Sequence, residues 1–514
     1  MQIALDQLPD DVDALKSLVA DQVVRNEQLE SKVFLLQEQL NIALAKRYAA
    51  SSEKISPDQI RLFNEAEVDN EAGAISDVDD EVVIVPAHQR RKRGRKPLPE
   101  ALPRVDIIHE IPECERRCDR DGRLLAEIGE VICEQLDIIP ARIQVLRHIR
   151  KKYACNCGEC IRLAPLPAQP IPKSLASPGL LAHIAVSKYA DALPLYRQET
   201  ILRRIGVDIP RATLANWMIQ AGTLIQPLIN LLQDRLLDYD IVQMDETTVQ
   251  VLKEAGKTAQ SKSYLWLQRG GPPDQPVVLF HYDPGRGAGV AKRLLAGFKG
   301  YLQTDGYDGY NDAVAVGDLT HVGCMAHARR KFSEAVKAQG SNKQCGLAHR
   351  GLALIQKLYR IEKQARDLTP ESRHDHRQLH ARPLLSELRT WLDTALPEVP
   401  PTSATGKALN YLHNEWDKLI RYLDDGRLEI DNNAAENAIR PFVVGRKNWL
   451  FSASVKGVKA SANLYSLIET AKAYGLEPYA YLRFLFTELP KANTVDAIEA
   501  LLPGNLDRNQ IRTA

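Results

Sequence analysis

Apolar positions recur every seven residues at the start of the chain. Val12, Val19, Asn26, Val33 and Leu40 form one register; Leu15, Gln22, Leu29, Leu36 and Ala43 form a second, three residues later. Mostly β-branched residues in the first register and leucines in the second favour a parallel two-stranded coiled coil, and Asn26 trades stability for a fixed alignment. A helix packed on its own domain would show a similar stripe, but the acidic stretch that follows offers nothing to pack on. The pattern predicts a dimerisation helix over 1–48.

Periodicity then stops. Residues 49–104 read as a linker, acidic in "EAEVDNEAGAISDVDDE" and basic in "RRKRGRKPLP". Arg93, Arg95 and Lys96 around a glycine and before a proline suit an AT-hook that enters the minor groove. A solvated basic linker touching phosphates without sequence preference fits the same residues. Residues 105–165 carry short strand-like pieces, and 166–236 read as helices. In that region a turn at Gly206 and a helix opening at Pro210 fit a helix-turn-helix, with Arg211 and Thr213 at a major groove. An ordinary helical hairpin gives the same pattern.

From residue 237 the pattern becomes strand-like. "YDIVQMDETTVQVL", "SYLWLQ", "QPVVLFHYD" and "GYLQTD" are four strands, and "LTHVGCMAHARRKF" is a strand entering a helix. Three strands, a helix and two more strands predict a mixed sheet flanked by helices over 237–343. Helical periodicity fills 344–427 as an insertion. The layer resumes over 428–485, and 486–514 reads as a tail.

Composition changes this picture in two places. At 514 residues, with 44% hydrophobic and 26% charged residues, the chain is globular and too long for one core. The net charge of +1 averages an acidic and a basic block, so local patches decide what is bound. No apolar run approaches the ~20 residues of a membrane helix. No basic segment followed by an apolar core opens the chain, so a cytosolic location is expected. In that compartment the cluster Cys114, Cys118, Cys155, Cys157 and Cys160 reads as a zinc site before disulfides, with free buried thiols as the alternative.

The chemistry concentrates on three carboxylates. Asp245 and Asp305 each end an apolar strand, where both burial and strand propensity disfavour aspartate. Glu436 lies in "LEIDNNAAENAIRPF", one turn into a helix. With Asn433 as N-cap it could close a capping box; with the two aspartates it could hold two Mg²⁺ or Mn²⁺ ions for phosphodiester displacement. Arg440, Arg446 and Lys447 would then lie near phosphates, as would His327, Arg329 and Arg330, whose alternative is a solvated helix face. Trp449 would stack on an unpaired base or pack in the core.

The strings "MDETTVQVL", "YLQTDGYDGYN", "CMAHARRKF", "LEIDNNAAENAIRPF" and "GRKNWLFSAS" resemble, in order, the signature blocks of IS66-family transposases. With the heptads, the cysteine cluster and "VSKYADALPLYRQE", the resemblance covers nearly the whole chain. It implies a multidomain α+α/β protein. Its parts are a coiled coil, a zinc-finger-like module, a helical DNA-binding region and a ribonuclease-H-like core with a helical insertion. By motif match it implies a DDE triad of Asp245, Asp305 and Glu436 that binds Mg²⁺ or Mn²⁺, cuts DNA at terminal inverted repeats and joins it to target DNA. A homodimer or larger assembly, accessory proteins of the same element and a bacterial, nucleoid-associated cytoplasmic location are further expectations. The family usually carries Cys-x2-Cys in its first zinc half; here Asp121 takes the second position. The expected zinc ligands are therefore Cys114, Cys118, Cys157 and Cys160. Two rival readings share the motifs: an inactive DNA-binding repressor, and a nuclease of the same fold that never joins DNA.

Overall fold

The computed structural model describes residues 143–154, 161–338 and 346–506, with separate positions between 11 and 40. The basic segment with Arg93, Arg95 and Lys96 lies outside the described residues, as do Cys114, Cys118, Cys155, Cys157 and Cys160. The chain divides into two compact units, 52–164 and 1–51 with 165–514. In the first, strands β1 (Lys152–Ala154) and β2 (Ile161–Leu163) pair antiparallel on either side of the 155–160 cysteine stretch.

In the second unit, the described positions from Val12 to Leu40 are helical, and the heptad residues Val12, Val19, Leu29, Val33 and Leu36 are each more than half exposed. None of the described helices is long and apolar enough to cross a membrane.

The predicted strands form one mixed sheet. β3 (Ile241–Lys253), β4 (Lys262–Gly270) and β5 (Val277–Asp283) are antiparallel neighbours. β6 (Gly300–Gln303) and β7 (Leu319–Val322) join on the other side of β3, parallel to it and to each other. The order is β5-β4-β3-β6-β7, and β8 (Ser452–Ser454) pairs with the far end of β3. β5 is an edge whose free backbone groups need partners. The Val455–Ala473 helix supplies them: Ser466 accepts from the Phe280 N–H at 2.7 Å, and Thr470 bonds both the N–H and the carbonyl of Val278.

The helices over 166–236 are not a separate body. Pro178–Tyr189 opens on a Ser177 cap followed by proline, and Leu195–Arg204 ends in a turn where Gly206 takes φ +84°. In Arg211–Leu224 the residues Leu214, Trp217, Met218 and Ala221 are buried at helical spacing. They enter the same hydrophobic core as the sheet and the C-terminal helices. At Gly222 a Cβ would stand 2.6 Å from the Ala460 backbone, so that helix lies directly on Val455–Ala473. The stretch read as a tail also folds back as far as residue 506, with Leu489, Leu501 and Leu502 buried in this core.

The insertion has its own core, and that core begins before residue 344. Met325, Ala328 and Phe332 of the Met325–Ala338 helix pack with Leu354, Leu388, Trp391 and Leu409. Helices Pro370–His376 and Arg382–Ala395 run on through a π-turn at Arg377–Ala381. Pro383 has no N–H for the Leu379 carbonyl, and the widened turn lets the helix continue past it. Arg377 is fully buried there. It donates to both Glu362 oxygens at 2.9 and 2.7 Å and to the carbonyls of Tyr422, Asp425 and Leu428. All five guanidinium N–H groups are used, and the chain leaving the insertion is fixed to its core.

Candidate active site

The register of β3 and β6 places the two aspartates. Their last parallel pair is Gln243 with Gln303, bonded side chain to side chain at 2.9 Å. Two residues further along each chain come Asp245 and Asp305; Asp305 lies just past the end of β6, but Asp245 does not end its strand as expected, because the antiparallel pairing with β4 carries β3 on to Lys253 after the parallel pairing with β6 has stopped. Each is oriented by a local N–H: Glu246 donates to Asp245 Oδ1 at 2.8 Å, and Tyr307 to Asp305 Oδ1 at 3.0 Å.

Glu436 arrives from the second core. After Ile430 the chain enters the Asn433–Trp449 helix, whose N-cap is Asn432 and not Asn433. The capping box is not formed. Glu436 lies four residues past the cap, and the cap residue makes no side-chain cap hydrogen bond. Asp431 instead accepts from the backbone and side chain of Asn433 at 3.1 and 2.8 Å, and is itself held by the Tyr359 hydroxyl. The buried Asn432 amide donates to the Met244 carbonyl, the residue before Asp245, at 2.8 Å. Its backbone N–H meets Cys324 Sγ at 3.2 Å. The helix start is thereby tied to the strand that carries the first aspartate.

The three carboxylates share one field. Asp245 is pushed up to about 8, first by burial, then by the charges of Glu246, Glu436 and Asp305. Glu436 Oε1 is buried without a hydrogen-bond partner. The nearest basic groups are His327 Nδ1, 3.7 Å from Oε1, and Arg330 Nη2, 3.5 Å from the other oxygen, both beyond good hydrogen-bonding distance, and burial holds the imidazole below its usual value. An aspartate raised by neighbouring acids, beside a glutamate with an orphaned buried oxygen, fits a site built for hard cations. Asp245, Glu436, His327, Arg330 and Arg440 line one open cleft, acidic groups beside basic ones.

Other residues singled out from sequence fall in different places. Arg329 lies over the Tyr359 ring at 5.2 Å. Arg446 turns inward to Thr247 and Thr248 of β3, and Lys447 is exposed. Trp449 packs edge-on against Phe442 at 5.3 Å, with Lys188 over its ring at 5.7 Å. Arg211 is exposed, whereas Thr213 lines a separate groove with Trp217 and Pro210.

Sequence reasoning missed the brace behind the aspartates. The Glu246 side chain is 2% exposed and accepts from Arg286 Nε at 2.8 Å and from the Tyr310 hydroxyl. Arg286 stacks on Tyr307 at 3.7 Å, and the Tyr307 hydroxyl donates to the Arg286 carbonyl at 2.7 Å. Burial raises Glu246, and its bonds to Tyr310 and Arg286 oppose the rise. The acidic pair "DE" inside a strand and the two tyrosines of "GYDGY" are the signal that points to it.

Comparison with known proteins comes to the same region. Residues 173–460 match the family model described as Transposase IS66 family, and residues 466–503 match the IS66 C-terminal element. Residues 35–107 match a model described as transposase C of IS166 homeodomain, and 115–158 match the zinc-finger binding domain of transposase IS66. The chain is 33% identical over 530 residues to uncharacterized protein y4jD of Sinorhizobium fredii (strain NBRC 101917 / NGR234), covering all of both. It is 32% identical over 550 residues to uncharacterized protein y4qI of the same organism, covering 99% of this chain and all of the relative.

Proposed function

Because the chain belongs to the IS66 family of transposases, we propose that it cuts DNA at the ends of an insertion sequence and joins those ends to target DNA. Asp245, Asp305 and Glu436 are its catalytic residues in this reading. The observation that carries it is their convergence: two aspartates on adjacent parallel strands and a glutamate on a helix start bonded to the same strand. The strand order, three antiparallel and two parallel around β3, supports a ribonuclease-H-like core.

When bound, a pair of Mg²⁺ or Mn²⁺ ions held by these three carboxylates supplies the Lewis acidity that both phosphodiester displacements need. The chain's own residues do the rest. Glu246 and Tyr307 hold the aspartates by backbone N–H groups, and Arg286 locks those two residues together. Arg330 and Arg440 on the cleft wall attract the scissile phosphate and fix the DNA backbone beside the carboxylates, and His327, which burial holds towards its neutral form, adds a hydrogen-bonding group. Arg446 acts indirectly, by binding the glutamate's helix to β3.

The remaining parts serve assembly and recognition. The exposed heptad face pairs two chains so that two element ends are held together. Cys114, Cys118, Cys157 and Cys160 hold a structural Zn²⁺; the zinc-finger family match at 115–158 supports a zinc module there and contains Cys118 and Cys157. Arg93, Arg95, Lys96, Arg211 and Thr213 contact the terminal repeats.

The test is a labelled terminal-repeat DNA incubated with the full chain and Mg²⁺ or Mn²⁺. Cut ends carrying a 3′-OH, together with joined products, support the proposal. Cutting without joining would make it a nuclease of the same fold, and binding without cutting a repressor.

A further inference from the structure

Cys324 and His327 span the corner between β7 and the Met325–Ala338 helix, and the reading above gives the thiol no part in DNA chemistry. Its sulfur is fully buried, yet the Asn432 N–H is aimed at it from 3.2 Å and the His327 N–H also bears on it. Burial, with the nearby charges of Asp431 and Glu436, nevertheless pushes the free thiol up to about 12, so it keeps its proton until a cation displaces it. Facing it are two buried polar atoms without hydrogen-bond partners, His327 Nδ1 and Glu436 Oε1. The ligand atoms of Cys324, His327 and Glu436 all lie within 4.8 Å of one another. Bonds to zinc of roughly 2.0–2.3 Å put tetrahedral ligands ~3.3–3.8 Å apart, so small side-chain shifts close such a site.

We propose that Cys324, His327 and Glu436 bind a soft divalent cation of the zinc class, and that its occupancy withdraws Glu436 from DNA chemistry. The second half rests on the catalytic reading of Glu436; the first does not. Thiolate and imidazole select a soft ion, whereas Mg²⁺ prefers oxygen ligands and leaves the sulfur alone. One cation therefore engages Glu436 together with the sulfur, and the other together with the aspartates. On loading, the thiol proton passes to solvent and the sulfur bonds the cation. Three protein ligands leave a fourth position for water.

Co²⁺ is the probe, titrated into the metal-depleted full chain. Wild type is compared with Cys324→Ser and His327→Asn, and their circular dichroism is matched first. Subtraction removes the contribution of the other cysteines. Wild type should take up one more Co²⁺ per chain than either variant, and the difference spectrum against Cys324→Ser should carry a thiolate charge-transfer band. Equal uptake in all three chains without that band would overturn the site. In a second arm, DNA cutting with added Zn²⁺ is expressed as a ratio to cutting in Mg²⁺ alone. Half-inhibition should need at least tenfold more Zn²⁺ in Cys324→Ser than in wild type; equal inhibition would overturn the regulatory half. A Co²⁺ difference in a chain that cuts no DNA supports the cation site and contradicts the transposase reading.

Discussion

Glu436 stands 3.7 Å from His327 and 3.5 Å from Arg330, with one oxygen buried and unbonded. A side chain placed only to cap a helix would spend that oxygen on a backbone N–H, so its vacancy argues for a ligand-binding role. On the other side of Asp305, the His321 ring contacts the Thr304 hydroxyl at 2.8 Å. Burial, aided by the charges of Lys418 and Arg421, holds that imidazole down to about 4, against 6.5 when unfolded. A folded value below the unfolded one means its stabilisation is full above pH 6.5 and is lost as pH falls towards 4. Denaturation between those limits should show wild type losing up to ~3 kcal/mol more than His321→Gln. Parallel pH curves would contradict this. Asp245 and Asp305 stood out because each follows an apolar run, but only Asp305 follows the end of its strand; β3 continues through Asp245 to Lys253. Asn432 did not stand out, because its partner is a carbonyl 188 residues away.

Strands and helices were largely legible because β-branched runs and helical periodicity differ in period. Which core each helix joins was not. The apolar stripe of Arg211–Leu224 would serve a free DNA-binding hairpin or a packed helix equally, and its burial in the sheet's core, with Gly222 against Ala460, reveals the second. The Met325–Ala338 helix follows a strand of the main sheet yet packs mainly into the second core. At this scale Arg377 is the decisive contact, joining the π-turn to the segment that leads to Glu436. Replacing it with methionine leaves Glu362 and three carbonyls without their partner. Arg377→Met should destabilise the chain by ~3–5 kcal/mol in urea unfolding. A change below ~1 kcal/mol would show that the clamp contributes little.

The large unit is two hydrophobic cores, and the chain crosses between them at the site. Ile430 belongs to one core and Ala435 to the other, with Glu436 immediately beyond the crossing. An insertion that looked in sequence like an interruption of the sheet layer thus helps set the position of Glu436. At the other end of the chain, Leu29 and Leu36 are 53% and 56% exposed on their helix. If the proposed coiled-coil seam buries these leucines, Leu29→Glu with Leu36→Glu should turn a dimer into a monomer by light scattering. An unchanged mass would move the dimer interface elsewhere. Whether Asp245, Asp305 and Glu436 act together on DNA can be read from Glu436→Gln, which keeps length and polarity but removes the charge. With end DNA and Mg²⁺ or Mn²⁺, the variant should bind as wild type does and cut at least ~10²–10³-fold more slowly. Equal cutting by both chains would mean that Glu436 takes no part in the DNA chemistry.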